Sequence, residues 1–258
     1  MTYDAILPAG GTIPDDYAAK VGTNKKPLVV IDGRTVLATT ISALRESGLV
    51  RRIVVVGSDE VLAHADAKGA DIVLPEGVSG PDNIYRGLKA LLESDLPPEK
   101  VIIATTDLPF IDANVVQRFV IACSEGDFCV PMVTQEEYET RFPGTQATYV
   151  TLRDRVCTAG CMYLATVSGL KAARPHIENV FEQRKSKIGM AKLLGPVFLI
   201  KFVLKRLTLA DVEKKITDML KCTGSAVPGS PPELVFDIDY LEDYEYAVAY
   251  AANAADLR

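Results

Sequence analysis

Histidine is scarce in this chain, with only His64 and His176, and the five cysteines at 123, 129, 157, 161 and 222 form no Cys-x-x-Cys pair. That pattern argues against a zinc site, and an odd count without paired spacing argues against a disulfide framework. The four-residue spacing of Cys157 and Cys161 reads as packing rather than chemistry. No unbroken run of Lys and Arg offsets the formal net charge of −6, so a mainly phosphate-driven grip on nucleic acid is not expected. Long apolar runs are also missing. The greasiest stretch, Leu193 to Leu207, is broken by Gly195-Pro196 and carries Lys201, Lys205 and Arg206, which leaves it too short and too charged to span a bilayer. Its residues Phe198, Leu199, Phe202 and Val203 form one apolar helix face, expected to bury against the protein's own core. Docking on a membrane, or on a second subunit in a homodimer, is the alternative. The N-terminal MTYDAILPAGG has no basic segment followed by an apolar core, so it does not read as a signal peptide, and a reduced cytoplasm is the expected compartment.

What is present is the material of one large domain. The 258 residues are 48% hydrophobic and 24% charged, enough to bury a core without disulfides or a structural metal. Tyr3–Leu7, Leu28–Ile31, Ile53–Val56 and Val101–Ala104 are short Val/Ile-rich runs of the kind buried on both faces of a sheet. Between them lie helical patterns over Thr35–Ser47, Asp82–Ser94 and Asp112–Ser124, the last with Asp112 as N-cap. This alternation predicts an α/β fold with a doubly wound, Rossmann-like, mostly parallel sheet. Further strands are expected at Phe128–Val133, Ala147–Leu152 and Met162–Ala165. Helical sequence then runs from Ser168 to about Cys222, with a capping-box start at Thr208-Leu-Ala-Asp211. After the loop Pro228–Pro232 comes a final strand, Leu234–Ile238, and a closing helix from Tyr240. The whole of 1–258 reads as one domain, with 186–222 as a helical insertion.

Three motifs suggest chemistry. Leu7-Pro-Ala-Gly-Gly11 follows the first strand, where two glycines expose backbone N–H groups to phosphate oxygens at the ligand-binding edge of an open sheet. It is neither a Walker loop nor Gly-x-Gly-x-x-Gly. After a polar loop to Asn24, Lys25-Lys26-Pro27 opens the second strand, and a lysine there can swing back over the glycine turn. A plain Gly-Gly turn with a surface lysine is the alternative. Asp107, in Thr105-Thr-Asp-Leu-Pro-Phe110, is held at the sheet edge because Pro109 keeps Leu108 extended, so it suits a Mg²⁺ ligand or an Asx turn. Asp237 and Asp239 alternate along the end of the last strand and share a face, although Asp239 with Glu242 also fits a helix cap. Together these groups are able to bind a nucleoside triphosphate and one divalent ion.

LPAGG followed by KKPLVVIDGRTVLATTISAL resembles the signature of the NTP-transferase family that includes molybdenum-cofactor guanylyltransferases and sugar-phosphate nucleotidyltransferases. TTDLPF resembles its metal-binding turn, FDIDYLEDYEYA the ending of the guanylyltransferase-like branch, and GVSGPDNIYRGLKAL the segment that reaches the nucleotide. KRLTLADVEKKI resembles an insertion of some members. The resemblance covers nearly the whole chain and implies the nucleotide-diphospho-sugar transferase fold. It also implies that the backbone of Ala9, Gly10 and Gly11 holds base and phosphates, that Lys26 contacts the phosphates and that Asn83 helps bind the nucleoside. Asp107, Asp239 and Asp237 would hold Mg²⁺, with Lys26, Asp107 and Asp239 as the catalytic set. Thr158 and Gly160 fall where the family contacts its acceptor. The family's usual arginine after Gly-Gly is missing from TIPDDYAAKVGTN, leaving Lys20 as the substitute charge. The expected reaction is Mg²⁺-dependent transfer of NMP from an NTP to a phosphorylated acceptor, such as a sugar phosphate or cofactor phosphate, with release of pyrophosphate. A glycosyltransferase using the Asp237-Ile-Asp239 pair, or a nucleotide-binding regulatory module, stands as the alternative.

Overall fold

In a computed structural model, residues 2–123, 126–183 and 186–255 are described. The first part of the chain gives β1 (Tyr3–Ala9), α1 (Asp15–Val21), β2 (Val30–Ile31), β3 (Arg34–Thr35), α2 (Val36–Glu46), β4 (Val50–Gly57), α3 (Asp59–Ala63), β5 (Ile72–Pro75), α4 (Gly80–Leu92), β6 (Lys100–Ala104) and α5 (Ala113–Ala122). The second part gives β7 (Phe128–Thr134), α6 (Gln135–Arg141), β8 (Val150–Thr151), β9 (Val156–Ala159), β10 (Met162–Thr166), α7 (Val167–Gln183), α8 (Lys187–Leu194), α9 (Pro196–Val203), α10 (Leu209–Leu220), β11 (Gly224–Pro228) and α11 (Leu241–Ala255).

The main sheet runs β5-β4-β1-β6-β10-β7-β9-β8, with β11 also paired to β7. Strands β5, β4, β1 and β6 are mutually parallel, β10 is antiparallel to β6, and β11 is parallel to β7. This is the mostly parallel α/β sheet that the alternating pattern predicts. Period-2 alternation divides its apolar residues between two cores. Ala5, Leu7, Ile53, Val55 and Ile102 pack with Leu37, Ile41 and Leu44 of α2 and Val116 and Phe119 of α5. Ile6, Val54, Val56, Val101 and Ile103 pack on the other side with Leu88 and Leu91 of α4 and Leu170 of α7. The predicted N-cap of α5 forms, Asp112 accepting from the Val115 N–H at 2.8 Å. Ser124, the expected last residue of that helix, lies outside the described residues. The Thr208–Asp211 capping box forms as well.

Several predicted elements take other forms. Leu28–Ile31 is no strand of the sheet. Lys26–Leu28 makes a 3-10 turn, and Val30–Ile31 pairs only with Arg34–Thr35 in a small hairpin. Pro27 starts the turn, and left-handed Asp32 and Gly33 close the hairpin, so an apolar run too short to carry a period packs as a plug instead. The expected polar loop before Asn24 contains α1, whose buried Tyr17 packs its ring, tilted, against Tyr244 of α11 with centroids 5.7 Å apart. Strand β5 was not expected at all, because half of its four residues face solvent. Within Ala147–Leu152 only Val150–Thr151 is strand, while Val156–Ala159 pairs with both β7 and β8.

The predicted last strand, Leu234–Ile238, is also absent. Pro231 and Pro232 set a 3-10 turn over Pro232–Leu234, and the chain then runs irregularly to α11. Its apolar residues Val235, Phe236 and Ile238 fill a third, aromatic core with Tyr17, Tyr138 and Phe142. The strand in this region lies earlier, at β11, whose Gly224 and Pro228 ends obscured it.

The apolar face predicted from Phe198, Leu199, Phe202 and Val203 divides. Phe198 and Leu199 are half-buried, Phe198 against Leu152, Cys157 and Leu207, whereas Phe202 and Val203 are exposed. The small cluster that receives Phe198, built from Leu152, Cys157, Leu207, Met132, Leu209 and Val212, covers only one side of α9.

Candidate active site

The carboxyl ends of β1 and β6 deliver the first parts of the site. Ala9 is the last residue of β1, its side chain buried in the core, so only its backbone faces the crevice. Gly10 and Gly11 turn away from the sheet, and the chain returns antiparallel to itself. Lys26 N–H donates to the Gly11 carbonyl at 2.9 Å and Ile13 N–H to the Asn24 carbonyl at 3.1 Å. A Cβ on Gly10 would stand 2.5 Å from Glu76 Oε2 and 3.1 Å from Asn83 Nδ2, so the turn lies directly against those two side chains. Asn83 is buried and its Oδ1 accepts from the Gly77 N–H at 2.7 Å, pinning the loop after β5 against the glycines. Glu76 escaped notice in the sequence because the strand that presents it did. Lys20 does not replace the missing loop arginine: its ammonium pairs with Glu245 on α11 instead.

Lys26 lies under this turn with its ammonium 3.3 Å from Asp107 Oδ2 and in contact with Asp239 Oδ1. Asp107, Asp237 and Asp239 each offer an oxygen within 4.8 Å of the others. Asp107 reaches this point from β6, and its backbone carbonyl accepts from the Ile238 N–H at 3.2 Å, which ties the irregular 235–239 segment to the sheet edge. The two later aspartates therefore converge with Asp107 from a loop rather than from a strand. Burial lowers the pKa of Lys26, but the charges of Asp107, Asp239 and Asp237 outweigh it and hold the group above its ordinary range.

The cluster fits a divalent ion. Asp107 Oδ1 is buried with no hydrogen-bond partner, and three carboxylates face a single ammonium. Burial, then repulsion from Asp107 and Asp239, pushes the Asp237 carboxyl up to about 7, with Lys26 offsetting part of the rise. A carboxyl whose folded pKa is raised contributes stability that is complete below its unfolded pKa and lost as pH climbs through the folded value. Without divalent ions, stability should therefore fall between about pH 4 and pH 7 on this account, by at most about 4 kcal/mol. Asp237→Asn should melt close to wild type at pH 5 and several degrees higher at pH 8, in melts run with chelator. An unchanged difference between the two pH values would contradict the assignment.

Beside the carboxylates opens a cavity of about 760 Å³. Thr145, Gln146, Thr148 and Thr158 provide uncharged polar groups to it, Asp237, Asp239, Glu242 and Asp243 provide acids, and no Lys or Arg is among its lining residues. The structure thus brings Thr158 to the cavity but not Gly160. That glycine is buried, donates to the Pro131 carbonyl at 3.1 Å, and has no room for a Cβ. Its part is to let β9 and β10 pass beneath Leu234. The 144–148 loop went unnoticed in the sequence because it carries neither charge nor apolar period. Cys161 lines the cavity too, but burial first, and then the three aspartates, hold its thiol well above its ordinary pKa, so it is no thiolate nucleophile.

Glycine turn, lysine and carboxylates meet at the carboxyl edge of a mostly parallel sheet, the edge where open α/β folds bind their ligands. The chain belongs to the MobA-like NTP transferase family, whose domain matches residues 5–212. The match ends before Asp237 and Asp239. A solved hypothetical transferase from Thermus thermophilus is 30% identical, superposes with a TM-score of 0.82, and aligns over 94% of this chain and 99% of its own. A 3-deoxy-manno-octulosonate cytidylyltransferase from Chelativorans is 33% identical over 104 residues, 40% of this chain and 41% of its own. A bifunctional IPC transferase and DIPP synthase from Rubrobacter xylanophilus is 32% identical over 166 residues, 61% of this chain and 36% of its own. The chain thus spans less than half the length of these last two relatives. Among the described residues, no helix is long and apolar enough to cross a membrane.

Proposed function

We propose that this protein transfers a nucleoside monophosphate from an NTP to a phosphorylated small-molecule acceptor and releases pyrophosphate, with Mg²⁺ as cofactor. The observation that carries the reading is the convergence of Lys26, Asp107, Asp237 and Asp239 beneath the Gly10–Gly11 turn. In this reading the backbone at Ala9, Gly10 and Gly11 cradles the nucleotide, and Asn83 fixes the loop that borders it. Lys26 draws the triphosphate down and neutralises charge on the departing pyrophosphate. Asp107, Asp237 and Asp239 would hold the metal, which would supply neutralisation of the phosphoryl charge.

An acceptor phosphate is largely dianionic near neutrality, its second pKa being about 6, so its oxygen attacks the α-phosphorus without a general base. One P–O bond forms there and the bond to the β-phosphate breaks, pyrophosphate leaving with the electron pair. The chain's remaining task is alignment, for which the cavity beside the carboxylates holds the acceptor in line. Its lining favours a particular acceptor body. With four acids and no Lys or Arg there, only the phosphate that reaches Lys26 and the metal finds opposite charge. A body of hydroxyls or an amine is accepted by the threonines, glutamine and carboxylates, whereas a second anionic group is repelled.

Release of pyrophosphate from each of the four NTPs with Mg²⁺ and a panel of phosphates tests both statements. Polyol or amino-alcohol phosphates should support turnover at least about tenfold faster than acceptors carrying an additional carboxylate. No pyrophosphate with any pair would refute nucleotidyl transfer, and a preference for carboxylated acceptors would refute the reading of the cavity alone.

A further inference from the structure

The chain's overall charge of −6 hides a local excess. Positions 183–210 carry seven Lys or Arg and no Asp or Glu, so this stretch holds +7 and the rest of the chain −13. Within it, Lys187–Leu194 forms α8 and Pro196–Val203 forms α9, and α9 has no buried residue. Val197, Ile200 and Leu204, at i, i+3 and i+7, form one stripe with Val203 beside it, and these four are 57–74% exposed. Around them stand Lys192, Lys205 and Arg206, all exposed. A cavity of about 270 Å³ between α7, α8 and α10 adds Lys192, Lys215, Lys221 and His176 against a single acid, Asp218.

We propose that α8 and α9 form an interfacial surface that seats the protein on a membrane leaflet rich in anionic lipid. The apolar stripe enters the headgroup boundary, and the surrounding lysines and Arg206 meet lipid phosphates. A helix of eight residues cannot span the bilayer, so this is a peripheral contact. Charge decides between lipid and a second copy of the chain: a two-fold contact through this face would set one strongly basic patch against its own image. The surface lies close to the site. Phe198 packs in the cluster that holds Cys157 of β9, while Thr158 and Ala159 of the same strand line the cavity. Helix α9 and the acceptor cavity therefore share strand β9, and membrane contact brings the site close to the bilayer surface.

Co-sedimentation of the full chain with vesicles tests this independently of any catalytic activity. Vesicles with one third phosphatidylglycerol should bind the protein at least about tenfold more tightly than pure phosphatidylcholine, and high salt should weaken the binding. Ile200→Glu with Val203→Glu, and separately Lys205→Glu with Arg206→Glu, should each lose about tenfold or more, with an unaltered melting temperature because these side chains are exposed. If a variant fails to fold, the lipid and salt dependence of the wild type decides. Absence of binding, or equal binding to neutral vesicles, would overturn the proposal. So would a concentration-dependent dimer in light scattering that Ile200→Glu dissolves, since the face would then belong to a second copy.

Discussion

Asp107→Asn should reduce pyrophosphate release by about 10²–10³-fold while leaving the fold intact. The substitution removes one negative charge and almost nothing else. The turn is held by the backbone, through the Asp107 carbonyl that accepts from Ile238 N–H, and by Leu108, which is fully buried. Neither contact involves the carboxylate. Lys26 retains its contact with Asp239, so the ammonium is not released into solvent. What disappears is the carboxylate with an unpartnered buried oxygen, the group in the cluster best suited to an ion. Triphosphate binding measured by thermal shift in chelator should be preserved, because Lys26 and the glycine turn remain, and the added stabilisation given by Mg²⁺ should be lost. A variant that turns over at the wild-type rate would remove Asp107 from the reaction and with it the metal assignment.

The parts of this site differ in how openly the sequence carries them, and the reason is physical. Asp107 and Gly10–Gly11 are legible because each follows a strand buried on both faces, β6 and β1, and such strands are continuous apolar runs. Lys26 lies beside the glycine turn, but on a 3-10 turn rather than at the start of a strand. Leu28, Val29 and Ile31 are as apolar as any strand, yet they bury against helices, and local sequence does not distinguish the two kinds of burial. Asp237 and Asp239 share a face for a reason other than strand alternation: the prolines before them and the aromatic core beneath shape the loop. Glu76, the 144–148 loop and the lack of bases in the acceptor cavity were not legible, since each depends on segments distant in sequence. The exposed face of α9 lay open to misreading for the opposite reason. An apolar helix is ordinarily a buried one, but here a small cluster receives Phe198 and leaves Val197, Ile200 and Val203 uncovered.

Gly160→Ala should cost about 2–3 kcal/mol of stability and, through a separate route, most of the activity. The new methyl would stand 2.6 Å from the Leu234 carbonyl oxygen and 2.9 Å from Pro131 Cγ. Neither is the loose end of a long side chain. Leu234 is fully buried and its carbonyl already accepts from the Cys161 N–H at 2.7 Å, while Pro131 is held in β7, its carbonyl accepting from Gly160 itself. Cys161 is fixed from the other direction too, its carbonyl accepting from the Thr105 N–H at 3.1 Å on the chain that leads to Asp107. The element free to yield is therefore the irregular segment beginning at Leu234, which carries Asp237 and Asp239. Displacing it by even 1 Å moves two carboxylates of the cluster relative to the third, a misplacement that typically costs about 10²-fold in rate. The melting temperature should drop by about 5–10 °C, and kcat measured well below that temperature should still be depressed. A variant that melts early but turns over normally when folded would separate the loop from catalysis and count against Asp237 and Asp239. One unchanged in both would mean that the passage between Pro131 and Leu234 is wider than the structure makes it.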